Sequence, residues 1–176
     1  MDAAHFVHGS FLCFIYSLCR MFIPTPSGRS RFNVLGAIDA VSRSLTVICN
    51  DTYVNALTVC ELLRKLELEN PLIKLAVILD NARYQHCAVV EEYAKSLKID
   101  LVFLPAYSPH LNLIERLWKW IKKDCLYGKY YAKFNGFKEA INKSVEKVNL
   151  PESKESIISL LSWKFQTFNK TQIRTV

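Results

Sequence analysis

The sequence predicts a mixed α/β domain in which antiparallel hairpin strands come first, parallel strands follow, and helices cover both faces of the sheet. Three observations carry that reading. Two short β-branched and apolar runs are separated by the turn-like VSRS. Two later apolar runs alternate with stretches of helical periodicity. The last third of the chain is basic and helical in pattern.

Taken in order, FNVLGAID (residues 32–39) and LTVIC (45–49) form the predicted antiparallel pair. NALTVCELLRKLEL (55–68) spaces Leu57, Cys60, Leu63 (with Val59 and Leu62 beside them) and Leu66 as an amphipathic helix does. After Pro71, LAVILD (75–80) is apolar on both faces, as a central parallel strand should be. Residues 84–97 read as a second helix, and IDLVFLP (99–105) repeats the buried-strand signature until Pro105 stops it. Strand, helix, strand and helix at this spacing imply right-handed crossovers between neighbouring parallel strands. A further helix begins near Asn112, and KFNGFKEAINKSVEKV (133–148) is the clearest piece of a tail that is helical beyond residue 135.

At 176 residues the chain suits one domain, able to bury roughly two-thirds of the surface its unfolded form exposes. Half of the residues are apolar and only five are Gly, which excludes a disordered or collagen-like chain. The net charge of +7 is uneven. Residues 1–114 carry ten Lys/Arg against ten Asp/Glu, and residues 115–176 carry thirteen against six. That asymmetry suits a polyanionic partner, with a solvated basic helix face as the plainer alternative. Six cysteines lie scattered without a CxxC pair, which suits free thiols in a reducing compartment. The apolar stretch FVHGSFLCFIYSLCRMFI (6–23) is broken by His8, Ser10, Ser17 and Arg20 and is expected to be buried or interfacial structure, not a signal or membrane segment.

Two acids sit where chemistry is often placed. Ligand sites in open sheets lie at the carboxyl ends of parallel strands, and Asp80 ends the LAVILD run. Pro105 and Pro109 stiffen the path from the next strand into the helix whose first turn holds Glu115. Each acid also has a plain structural reading. Asp80-Asn81 is a common turn opener, Asn112 and Glu115 match a capping box, and Glu115 with Lys119 is an ordinary i,i+4 pair.

LDNARYQH, followed by FLPAYSPHLNLIERLWKWIKK, closely resembles the second and third acidic motifs of the DDE transposases, in the branch joining bacterial insertion-sequence enzymes to the mariner elements of eukaryotes. MDAAHF resembles the first acidic motif, and SGRSRFNVLGAIDA the segment after it. The match runs from residue 2 to about residue 134, with FQTF near residue 165 a weaker echo. The resemblance implies a ribonuclease H-like (retroviral integrase-like) fold in which a first-strand Asp, a fourth-strand Asp and a helix-borne Glu meet. Carried over residue by residue, these are Asp2, Asp80 and Glu115. Asp39, which also ends an apolar run, competes with Asp2 and is more simply a turn opener. The resemblance further implies a single catalytic domain over residues 1–176 with a helical tail from about 135 to 176, beginning one residue before the first catalytic Asp and so without the family's helix-turn-helix region. The family often has Pro at the positions of Ala106 and Leu113.

Three carboxylates about 5 Å apart repel by roughly 3 kcal/mol per pair at an effective dielectric near 20, so a positive partner is required. Mg²⁺, with Mn²⁺ as a substitute and bound as two ions, is what the resemblance implies. The implied reaction is cleavage of phosphodiester bonds followed by strand transfer during transposition. Its implied partners are DNA, as element ends and as target often at TA dinucleotides, and a second copy in a homodimer. The implied setting is the bacterial cytoplasm, at the nucleoid. Arg29, Arg31, Arg83, Arg116, Lys119, Lys122 and Lys123 are the candidate phosphate contacts, and Asn81 and Asn112 are placed to orient the acids or a phosphate. Cations interleaved with Trp118, Trp120, Tyr127, Tyr130 and Tyr131 suit a nucleic-acid surface, although Leu113, Leu117, Trp120 and Ile121 share a face expected to lie in the core. A catalytically inactive remnant that binds DNA non-specifically, or an RNase H-like nuclease, are the alternative functions.

Overall fold

The computed structural model describes residues 1–9, 13, 16–24, 30–105, 108 and 111–163. Three antiparallel strands open it: β1 (Asp2–Val7), β2 (Arg31–Ile38) and β3 (Leu45–Asn50), in the order β1-β2-β3. The β2–β3 pair is the predicted hairpin, with Ile38 opposite Leu45. Its turn is closed by Asp39, whose Oδ1 accepts from the backbone nitrogens of Val41 (2.6 Å) and Ser42 (2.7 Å). Burial works against the Asp39 charge, but these hydrogen bonds and Arg43 outweigh it and hold the carboxyl below its usual range. Asp39 is thus committed to its turn.

Helix α1 (Ala56–Glu69) starts at Asn55, whose side chain accepts from Thr58 N in a full capping box. Strands β4 (Ala76–Leu79) and β5 (Asp100–Phe103) pair in parallel, joined through α2 (Ala88–Ser96). The second predicted helix therefore starts four residues late, because residues 83–87 turn before it. Helices α3 (Ile114–Leu126), α4 (Phe134–Val148) and α5 (Lys154–Leu160) complete the chain, with a short 3₁₀ turn at Pro151–Ser153. The amino nitrogen of Met1 donates to Ile78 O at 2.6 Å, which sets β4 beside the start of β1.

Alternation along the strands builds a core on each face of the sheet. Ala4, Phe6, Phe32, Val34 and Leu45 pack with Leu117, Ile121, Phe137 and Ile157 from α3, α4 and α5. Leu35 and Ala37 pack on the opposite face with Val59, Leu62 and Leu63 of α1 and Val90 and Ala94 of α2. Each fully buried Leu, Ile or Phe contributes roughly 1.5–3 kcal/mol of hydrophobic stabilisation.

Three sequence-based expectations do not hold. The buried stripe of α1 is Val59, Leu62 and Leu63, while Leu57 is 70% exposed, because periodicity gives a helix its apolar arc but not which edge of that arc meets the sheet. Strands β4 and β5 are not apolar-buried on both faces: Ile78 and Val102 remain about half exposed while Val77 and Leu79 face α1 and α2. Within the stretch 6–23, residues 6 and 7 finish β1, Tyr16, Leu18 and Phe22 stand exposed and so are not buried within the chain, and residues 10–12, 14 and 15 lie outside the described residues. All six cysteines are free thiols, as expected. Among the described residues no helix is long and apolar enough to cross a membrane.

Candidate active site

Asp2 opens β1 opposite Gly36 of β2, and strand alternation sends it to the same face as Ala4 and Phe6. It is buried, at 8% exposure. Asp2 is the first residue of β1. Asp80 follows Leu79, the last residue of β4. Its Oδ1 is buried and has no hydrogen-bond partner among the described residues. Glu115 lies half-buried in the first turn of α3, where the helix dipole favours a carboxylate.

The electrostatics join these three residues. Burial, above all, pushes the Asp2 carboxyl up to about 6; a backbone hydrogen bond from Ala3 opposes the rise, and the charges of Glu115 and Asp80 add to it. Tyr84, on the turn after β4, feels the same charge. Burial raises its hydroxyl to about 12, with Asp80 and Asp2 adding and a hydrogen bond from Gln85 opposing. At neutral pH it keeps its proton and is a hydrogen-bonding group, not a base. A further contact comes from α3, where Trp118 Nε1 donates to Asp2 Oδ2 at 3.1 Å.

Among the described residues no three His, Cys, Asp or Glu side chains are grouped closely enough to hold one ion. The acids share a field without closing into a cage. The donor chemistry nevertheless suits a hard divalent cation. All three side chains offer carboxylate oxygens, one buried Asp80 oxygen has no hydrogen-bond partner among the described residues, and the charges of Glu115 and Asp80 add to the burial that holds a proton on Asp2 to about 6.

Asn112 is buried and its Nδ2 donates to Met1 O at 3.3 Å, so it ties the approach to α3 to the start of β1. It does not cap the helix: Leu113 occupies the N-cap position, with no side-chain cap bond. Nor does Lys119 form an ion pair with Glu115 among the described residues. Asn81 is exposed, with its Oδ1 2.9 Å from His86 Nδ1, and the His86 ring stacks on Phe103 at 4.3 Å.

Of the predicted phosphate contacts, Lys119 and Lys123 are exposed along α3, Arg31 is exposed on β2, and Arg83 is exposed on the turn after Asp80. Lys122 is half-buried with its Nζ 5.8 Å over the Phe6 ring. Arg116 turns inward, and its Nη1 donates to Ser162 O at 2.8 Å. Arg29 lies outside the described residues. The core tryptophan of α3 is Trp118, at 2% exposure, and Trp120 only lies partly buried against the same cluster. Sequence reasoning misses Tyr84 and the inward role of Trp118. The signal for Trp118 is its i,i+3 spacing from Glu115, which sets both on adjoining parts of one helix face.

The family model for "DDE superfamily endonuclease" matches residues 20–138. A search among curated proteins finds no match. The structure is similar to that of a Mos1 transposase paired-end complex with left transposon end, at a TM-score of 0.60 and 15% identity over 94% of this chain and 55% of that one. It is similar to a Mos1 mariner paired-end complex with Mn at 0.57 and 16%, again covering 94% and 55%. It is also similar to the HTLV-2 integrase catalytic core domain in complex with magnesium (dimeric form), at 0.56 and 16% over 85% and 83%. The chain thus spans about half the length of the transposase chains it matches. At these identities the likeness establishes the fold, which is ribonuclease H-like, here with a three-stranded antiparallel sheet, a two-stranded parallel sheet and helices on both faces. With a family model covering well over half of its residues, the chain belongs to the DDE superfamily of endonucleases.

Proposed function

We propose that this chain is the catalytic domain of a DNA transposase, formed by residues 1–176 as one unit with a helical tail, and that Asp2, Asp80 and Glu115 hold Mg²⁺ or Mn²⁺ for phosphodiester cleavage and strand transfer. The observation that carries the proposal is the burial of Asp2 within the field of Glu115 and Asp80. Three acids drawn from a strand start, a strand end and a helix start have no structural need to share a field, and their mutual repulsion is tolerable when a cation sits among them. Two of the similar structures are complexes with Mn and with magnesium, which supports the choice of ion.

When bound, two such ions activate the attacking oxygen and stabilise the leaving one in an in-line displacement at phosphorus. The residues of this chain have separate tasks. Asp2, Asp80 and Glu115 would hold the ions with hard oxygen donors carried on a strand start, a strand end and a helix start. Lys119 and Lys123 on α3, with Arg31 and Arg83, are the exposed cations that hold the DNA backbone. The same acids serve both hydrolytic release of an element end and its transfer to target DNA, at TA dinucleotides, within a homodimer that pairs two ends.

Binding of Mn²⁺ to purified protein tests the acids without requiring turnover. Wild type is expected to bind at micromolar to millimolar concentration, and Asp80→Ala or Glu115→Ala to reduce binding to background. With either metal, plasmid nicking is expected to be weak in wild type and absent in both variants. Metal-dependent nicking that survives both substitutions refutes the assignment of the acids. DNA binding without metal binding in wild type leaves the chain as a non-catalytic DNA-binding domain.

A further inference from the structure

The side of the acid pocket formed by α3 and β2 contains a device that the three carboxylates do not explain. Trp118 stands three residues after Glu115, fully inside the core, and spends its single N–H on Asp2 Oδ2 at 3.1 Å. Its ring occupies space that only a glycine leaves open. A Cβ built on Gly36 would lie 2.7 Å from Trp118 Cη2 and 3.1 Å from Cζ2, closer than packed atoms tolerate. Leu45 Cδ1 closes the same space at 3.3 Å. Gly36 is also the residue that pairs with Asp2 across β1 and β2. One strand therefore supplies the acid, its neighbour supplies the gap beside it, and the helix that bears Glu115 fills that gap with a donor aimed at the acid.

The chemistry of the donor is specific. A Phe or Leu would fill the same volume as core, but neither can satisfy a buried carboxylate oxygen. An Arg or Lys could satisfy it, but its charge would neutralise the acid and compete with a cation. An indole N–H fixes one oxygen of Asp2 without contributing charge, which is the part that outer-shell hydrogen bonds play for metal-binding carboxylates.

We propose that Trp118, admitted by Gly36, is a positioning residue that locks the Asp2 carboxylate for metal binding and couples its orientation to that of Glu115 through α3. This inference rests on the reading of Asp2, Asp80 and Glu115 as the metal-holding set, and its test separates the two. Mn²⁺ affinity is measured on wild type, Trp118→Phe, Gly36→Ala and Asp80→Ala, with the fold of each checked by circular dichroism. Trp118→Phe keeps an aromatic ring and loses the donor, and it is expected to weaken Mn²⁺ binding about tenfold. Gly36→Ala, which displaces the ring, is expected to weaken it at least as much. The indole N–H resonance of Trp118 provides a second readout in the wild-type protein. It is expected to shift on titration with Mg²⁺ and to move upfield in Asp2→Ala.

An affinity unchanged in folded Trp118→Phe, while Asp80→Ala abolishes binding, overturns the inference and leaves the assignment of the acids standing. So does an indole resonance indifferent to both Mg²⁺ and Asp2→Ala. Mn²⁺ binding that is absent in wild type, or that survives Asp80→Ala intact, overturns both. Should Trp118→Phe fail to fold, the indole resonance of the wild-type protein decides.

Discussion

Burying Asp2 within the field of two other acids sets stability against the metal-holding role proposed for it. In the metal-free protein its carboxyl holds a proton up to about 6, whereas in the unfolded chain it releases the proton near 3.8. The folded state therefore gains stability from Asp2 fully below about pH 4, and loses it as pH rises through 6. That difference of about two pH units corresponds to about 3 kcal/mol. Asp2→Asn keeps an acceptor for Trp118 and removes the charge. Without metal it is expected to be up to about 3 kcal/mol more stable than wild type at pH 7.5, with the gap closing towards pH 4. Urea unfolding of both proteins across that range checks this, and a gap independent of pH would contradict it. At this scale the sequence is informative where position alone reveals a role. Asp80 ends an apolar run and Glu115 begins a helix, and both are legible from local pattern. Trp118 is not, because its meaning lies in a hydrogen bond to a residue 116 positions away, and in a missing side chain on a strand it never neighbours in sequence.

Among the elements, periodicity locates nearly every strand and helix but does not say how their ends are fastened. The capping box at Asn55 and the turn at Asp39 are local, and the second is legible as a turn in the sequence. Asn112 has the sequence position of a cap and is instead a long-range tie, since a buried amide takes whichever backbone group the tertiary fold presents. Asn149 behaves in the same way. It follows α4, and its side chain brackets the first residue of β3, accepting from Leu45 N at 2.8 Å and donating to Leu45 O at 2.8 Å. One amide thereby extends the strand's hydrogen bonding and fixes the end of α4 against the sheet edge. Asn149→Ala leaves both backbone groups of the buried Leu45 unpaired and is expected to cost about 2 kcal/mol, read as a lower urea midpoint at unchanged slope. The buried face of α4 (Phe137, Ile141, Val145 and Val148) should hold the helix in place and keep the loss from being larger. Loss of cooperative unfolding in Asn149→Ala would show that this bracket, and not the apolar face, docks the helix.

Across the whole molecule, charge separates what the acids do from what surrounds them. The net +7 coexists with three acids that share a field, where burial first and the charges of Glu115 and Asp80 after it let Asp2 keep its proton to about 6, and the basic excess lies after Glu115, beginning on the same helix. This arrangement suits a polyanion held by cations at the rim while its phosphate meets acids and metal at the centre. The charge asymmetry is plain in the sequence. Which cations reach solvent is not, because it depends on the rotation of α3. Lys119 and Lys123 point outward, Arg116 is spent on Ser162 O, and Lys122 lies over Phe6. The two groups should therefore differ in their effect on DNA binding. Every phosphate that is no longer neutralised lowers the slope of log affinity against log salt by about 0.9, so Lys119→Gln with Lys123→Gln is expected to flatten it by about 2. Arg116→Gln is expected to leave the slope unchanged and to lower stability, because the substitution strips a partner from Ser162 O. Titrations of a short duplex between about 50 and 200 mM salt, in EDTA so that metal held by the acids does not contribute, give both slopes. A flattening caused by Arg116→Gln and not by the paired lysines would place the DNA on another face of the protein and detach the basic rim from the acid pocket.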